Sequence, residues 1–193
     1  MILFDIRALT FDTGGTILDW YTGFKNVLSE TGAKHRLDRN WHDLANAIRG
    51  QSDGKMLNPC KDARPDHNFD GAHRMALEAV IAEHGLEAFT EAERYAIARE
   101  APHNFDCWTY FPAVLLKLCE NFMCASFTIL SFRTIMDMAR RNGLSWDAVF
   151  SCEAIGRYKL LPEAYDTVAY YLQLDPSQST TSSLMISQLW RQQ

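Results

Sequence analysis

The spacing of apolar residues changes period twice along the chain. Ile6 to Phe11 (IRALTF) is a short run of apolar and β-prone residues with only Arg7 charged, which predicts a strand. It stops at Asp12-Thr13-Gly14-Gly15-Thr16, where two glycines permit a sharp turn. From about Ile17 to Asn104 the spacing becomes helical. Ala72, Met75, Ala76, Ala79 and Val80 fall on one face of a helix that Asp70 can cap and Gly85 can end. Thr90 and Glu93 have capping-box spacing and open a further helix over 92–99. Two more helices are predicted near 23–29 and 41–49, followed by a polar loop over 50–68.

After Pro112 the pattern begins to alternate. A helix over 113–120 leads into Phe122 to Leu130 (FMCASFTIL), a near-continuous apolar run of the kind a strand buried on both faces carries. A helix over 134–142 ends at Gly143. A third strand is predicted over 147–151, a helix over 162–172 and a fourth strand over 184–187. Strand–helix alternation predicts an α/β fold with a Rossmann-like, doubly wound parallel sheet. The expected division is a core from 1–16 and 105–193, with a helical cap over 17–104 inserted after the first strand.

Composition narrows the function. The chain has 193 residues, 47% apolar and 22% charged, which suits a folded core with a small inserted domain and excludes a disordered chain. Its net charge of −5 and lack of a basic stripe argue against nucleic acid as a partner. No apolar run reaches the length of a membrane span, and Met1 to Arg7 lacks the features of a secretion signal. The five cysteines are irregularly spaced with no CxxC, so reduced thiols in a cytoplasmic protein are expected, and neither a zinc site nor a disulfide framework is. The six histidines show no metal-ligand spacing and are read as surface or loop residues.

In doubly wound sheets ligands sit at the carboxyl ends of the strands. Asp12 follows the first predicted strand, Ser131 the second and Lys159 the third, which brings a carboxylate, a hydroxyl and an ammonium toward one crevice. A carboxylate can act as a nucleophile, and a nearby ammonium keeps it ionised. The alternative roles of these residues are a turn residue, a helix cap and a solvated surface lysine. Trp20, Tyr21 and Phe24 are aromatic candidates for a pocket wall or for packing between insert and core.

The stretch FDTGGTILDW (Phe11 to Trp20), followed in order by Ser131, Tyr158-Lys159 and Tyr165, resembles the haloacid dehalogenase superfamily, and within it the L-2-haloacid dehalogenase branch. The resemblance implies that Asp12 is the nucleophile, which displaces halide from C2 of a small 2-haloacid and forms an ester that water hydrolyses. It implies that Thr16 hydrogen-bonds Asp12, Lys159 pairs with it, Ser131 holds the substrate carboxylate and Tyr165 lines the site. Arg49 is the candidate for receiving the halide. A homodimer is the family-level expectation.

Gly14 stands where phosphatases of this superfamily carry a second aspartate as general acid. A halide leaving group needs no proton, so its absence suits dehalogenation and weakens a phosphatase reading. No Asp or Glu follows Asp175, and Arg191 stands where the superfamily carries an acid in its fourth motif, so no bound magnesium and no other cofactor is expected. The chain departs from the family pattern at Phe132 and Leu160. Its segment over 177–183 reads as a divergent tail, and it is expected to stop short of the family's last strand and helix. Two other readings stay open: a phosphatase of the same superfamily, and a shortened, catalytically inactive relative.

Overall fold

A computed structural model describes residues 6–57, 68–159 and 161–181. Four parallel strands form one sheet in the order β3-β2-β1-β4, with β1 Ala8–Phe11, β2 Met123–Thr128, β3 Ala148–Ser151 and β4 Ser179–Thr181. Pairing runs Ala8↔Met123 to Phe11↔Ser126, Ala8↔Ser179 to Thr10↔Thr181, and Ala125↔Ala148 to Thr128↔Ser151. Every residue of β1 is buried, as its position between two neighbours in a sheet covered by helices requires. The predicted strand at 184–187 lies outside the described residues. Part of the segment read as a divergent tail is instead β4. Its Ser and Thr residues are β-compatible and pair with the free edge of β1.

Between β1 and β2 lie α1 Trp20–Lys34, α2 Trp41–Leu57, α3 Phe69–His84, α4 Glu91–Tyr95 and α5 Ala101–His103, with one π-helical turn over Ala96–Glu100 joining the last two. The sheet then carries α6 Phe111–Cys119, α7 Phe132–Asn142, α8 Cys152–Ile155 and α9 Pro162–Leu172. Among the described residues no helix is long and apolar enough to cross a membrane.

Several helix ends form where the local chemistry places them. Thr90 and Glu93 make both hydrogen bonds of a capping box. Gly85 and Gly143 end their helices in left-handed conformation at φ 66° and 65°. Three ends differ from the sequence reading. α1 starts at Trp20 because the Asp19 side chain accepts from the Thr22 N–H. Asn68, not Asp70, caps α3, which frees the Asp70 carboxylate for another use. α2 continues through the stretch read as loop, as far as Leu57. An Arg49–Asp53 pair one turn apart supports it, Ser52 Oγ donates to the Ile48 carbonyl at 2.7 Å, and Met56 is buried in the core.

The chain leaves the sheet and returns to it through two strands of backbone that bind each other. Trp108 N–H donates to the Ile17 carbonyl at 3.0 Å and Asp19 N–H to the Asp106 carbonyl at 2.9 Å, with Leu18 bridged to Cys107. Phe24 is core rather than pocket wall, edge-on to Phe105 at 5.0 Å. Gly23, on α1, faces the same ring so closely that a Cβ there would run into it. Gly23→Ala should gain about 1 kcal/mol of helix propensity. It should lose about 2 kcal/mol by overpacking. A lowered urea midpoint is the expected net result; a raised one would mean that Phe105 repacks freely.

Candidate active site

The turn after β1 is built from backbone bonds that fold 13–18 onto itself. Ile17 and Leu18 N–H groups both donate to the Thr13 carbonyl, at 3.1 and 3.0 Å, and Gly15 N–H donates to the Leu18 carbonyl at 3.2 Å. Gly15 has φ 91°, a conformation that glycine adopts without strain. Thr13 Oγ1 donates to Thr128 Oγ1 at 2.6 Å, and Thr128 Oγ1 also accepts from the Leu130 N–H at 3.1 Å. One buried hydroxyl pair thus fixes the ends of β1 and β2 relative to each other.

At this end of the sheet the Asp12 carboxylate meets two partners. Lys159 Nζ lies 2.9 Å from Oδ1, and Thr16 Oγ1 donates to Oδ2 at 3.3 Å. Lys159 is delivered by the segment after α8, where Gly156 turns the chain at φ 66° and Tyr158 is buried beside it. The ammonium also lies 5.5 Å from the centre of the Phe127 ring, which packs perpendicular to the Tyr165 ring at 5.1 Å.

The helical segment supplies another wall. Arg49, on α2, lies with its guanidinium 5.4 Å from the Trp20 ring centre and 5.5 Å from that of Phe69. Its Nε is 3.1 Å from Asp53 Oδ2. A Cβ at Gly14 would come 3.1 Å from Arg49 Nη2, so the missing side chain there is what lets the guanidinium approach the Asp12 turn. Asp12, Gly14, Arg49, Asp53, Ile129, Leu130, Lys159 and Tyr165 enclose a cavity of about 230 Å³.

Electrostatics follow from burial around these charges. Burial pushes the Asp53 carboxyl up, against the pull of Arg49 and with a further push from Asp12. Burial likewise raises the Tyr165 phenol, helped by Cys152 and Asp12. The Cys152 thiol is pushed up to about 11, chiefly by burial, so it is no thiolate nucleophile at neutral pH.

Of the residues singled out by sequence, Asp12, Arg49, Lys159 and Tyr165 line one cavity, and Thr16 reaches it through Asp12. The Ser131 hydroxyl does not line it. Ser131 is 1% exposed, caps α7 by accepting from the Thr134 N–H at 3.1 Å, and donates to Asp70 at 2.9 Å. Asp70 also accepts from Thr134 Oγ1 at 2.9 Å, meets His103 Nε2 at 3.3 Å and pairs with Arg99. His103 Nδ1 lies 2.8 Å from Asp137 on its other side. Ser131 therefore belongs to a network that joins α3, α5 and α7.

Two histidines read as surface residues are core. His103 sits in this network, and His73 packs edge-on to Phe69 at 4.4 Å and to Phe24 at 5.2 Å. Burial, with Arg49 nearby, pushes His73 down to about 3, so it is neutral. Asp53 is the charged cavity residue missing from the sequence reading; its signal was the Arg-to-Asp spacing of four, visible once α2 is extended. At the opposite end of β2, Cys119, Cys124 and Asp147 bring ligand atoms within 4.8 Å of one another, a grouping made by the β2–β3 pairing and invisible as a sequence motif.

No protein-family model matches the chain, and no curated protein matches it in sequence. Solved structures do. A defluorinating L-2-haloacid dehalogenase superposes with a TM-score of 0.83 and 27% identity, over 91% of this chain and 72% of its own. A second L-2-haloacid dehalogenase gives 0.79 and 27%, over 91% and 75%. The L-2-haloacid dehalogenase of Xanthobacter autotrophicus with chloropropionic acid covalently bound gives 0.75 over 91% and 69%; its 20% identity speaks to the fold alone. The resemblance drawn from the sequence thus holds in three dimensions, and the fold is the Rossmann-like one of these neighbours.

The Asp70 network has a measurable consequence. Burial pushes the Asp70 carboxyl up, but hydrogen bonds from His103, Ser131 and Thr134 together outweigh it and hold it at about 2, against 3.8 for a free aspartate. A carboxyl held down by folding stabilises the native state above the unfolded value, and that contribution disappears as pH falls through the folded one. It amounts to about 2 kcal/mol. Asp70→Asn should lose about that much at neutral pH, with a gap to the parent protein that narrows in urea titrations as pH falls below about 4. A gap independent of pH would mean that the carboxylate's charge contributes nothing.

Proposed function

We propose, for a chain whose fold and structural neighbours support an enzyme of the haloacid dehalogenase-like hydrolase kind, that it hydrolyses the carbon–halogen bond of a small 2-haloacid through an ester on Asp12. The observation that carries this reading is the Asp12 carboxylate at the mouth of a small cavity, paired with Lys159 at 2.9 Å and lacking a second aspartate at Gly14. One Asp12 oxygen attacks C2 of the substrate as the carbon–halogen bond breaks, so the configuration at C2 inverts. The halide departs with the bonding electrons and needs no proton, which fits a turn without a general acid. Lys159 pairs with Asp12 and orients it, and Thr16 holds its other oxygen. The Arg49 guanidinium, backed by Trp20 and Phe69, is the candidate acceptor for the halide. Tyr165 and Leu130 shape the cavity, and the helical segment acts as a cap that limits water around the reacting carbon.

The donor set supports a reaction without a metal. The two carboxylates lining the cavity, Asp12 and Asp53, are each already paired with a protein cation. A hard divalent ion would have to share these two carboxylates with Lys159 and Arg49, whose positive charges oppose it.

Purified protein should release halide from L-2-chloropropionate with EDTA present, and Asp12→Asn should abolish release without unfolding the chain. Activity that survives in Asp12→Asn, or that EDTA removes, would overturn the mechanism. Gly14→Asp should lower halide release at least about tenfold, because its Cβ and carboxylate would enter the space of Arg49. Unchanged halide release in that variant would remove Arg49 from the reaction.

A further inference from the structure

Resolving the Asp12 ester requires a proton acceptor, because the water that attacks it is a poor nucleophile until it begins to lose a proton. Asp12 cannot serve, since its carboxylate is consumed in the ester. Among the described residues lining the cavity, the other titratable groups are Arg49, Lys159, Tyr165 and Asp53. The first two are cations and the third is a phenol whose proton burial holds more tightly. His73, though near Arg49, is buried between Phe24 and Phe69 and is not part of the cavity lining.

We infer that Asp53 is the general base that activates water for hydrolysis of the Asp12 ester, an assignment that rests on the reading of Asp12 as the nucleophile. Its geometry suits the task. Asp53 Oδ2 is held 3.1 Å from Arg49 Nε one turn back on α2, which fixes the carboxylate in the wall contributed by the helical segment. Its other oxygen, Oδ1, is buried with no hydrogen-bond partner. A carboxylate with one unsatisfied oxygen is poorly stabilised as an anion and gains from taking up a proton. The groups facing it are Arg49, which favours its charged form, and Asp12, which opposes it; burial tips the balance toward proton uptake. Esterification of Asp12 removes that neighbouring negative charge, which shifts Asp53 toward its ionised form, the form a base needs, as the second step begins.

The water oxygen bonds to Cγ of Asp12 while one of its protons passes to Asp53. The tetrahedral intermediate collapses by breaking the bond between Cγ and the oxygen attached to C2, and that oxygen takes the proton from Asp53 to give the 2-hydroxy acid. The second water proton leaves to solvent as Asp12 returns to its carboxylate. No oxidant or other co-reactant is needed.

Asp53→Asn keeps the size of the side chain and an oxygen for Arg49, and it separates the two half-reactions. With L-2-chloropropionate the variant should release one halide per site in a burst and then stall. Its intact mass should show the covalent adduct on Asp12, and steady turnover should fall by about 10²-fold or more. The parent protein's turnover should decline on the acid side as Asp53 protonates, and the residual rate of the variant should lack that limb. Turnover near the parent rate in Asp53→Asn would overturn the assignment and leave the Asp12 reading standing. So would loss of the burst together with turnover, which would place Asp53 before the ester. A parent protein that releases no halide would overturn the Asp12 reading itself, a result distinct from either.

Discussion

A carboxylate at the end of a strand buried on both faces needs a cation beside it, and the strand itself supplies none. Asp12 occupies that position, and much of the architecture answers to it. The ammonium that compensates it, on Lys159, lies far away in sequence. It arrives only because β2 and β3 pair in parallel beside β1, so that every strand ends at the same edge. The hydroxyl pair between Thr13 and Thr128 fixes the two central strand ends, and Tyr158, immediately before the lysine, is buried. Weakening any of these leaves a partly buried charge without its partner, which is costlier than the pair is worth when intact.

The helical segment completes the cavity from the other side. Its exit and return chains bind each other beside the Asp12 turn, so the first helix starts close to the sheet edge and α2 is brought over it. Arg49 is then held by two aromatic rings, by Asp53 and by the space above Gly14. Charge in the cavity is balanced by two carboxylates and two cations. That balance makes the ionisation of Asp53 sensitive to what happens at Asp12.

A second polar cluster, centred on Asp70 and His103, does structural work between the helical segment and α7. Its members are nearly all satisfied: Asp70 takes bonds from Ser131, Thr134, His103 and Arg99, and His103 also meets Asp137. Fully satisfied buried networks of this kind fix one arrangement of the elements they join. Here the elements joined are α3, α5 and α7.

The sequence by itself determined the elements with strong local signals. The apolar run before Asp12, the capping box at Thr90, the glycine stops at Gly85 and Gly143, and the parallel α/β class all follow from periodicity and backbone chemistry within a few residues. It also marked Asp12 and Lys159, because a carboxylate in a glycine turn with an ordered lysine downstream is a dense pattern, while Thr16, Arg49 and Tyr165 were marked only through the resemblance to a known family. The tertiary structure alone decided the rest. The Ser131 hydroxyl went to Asp70, since an N-cap that is buried takes the nearest acceptor. His73 and His103 became core, because burial depends on what packs above a residue and not on its type. Asp53 entered the cavity because α2 runs past its polar stretch, and a polar helix is held by its neighbours as much as by its own composition.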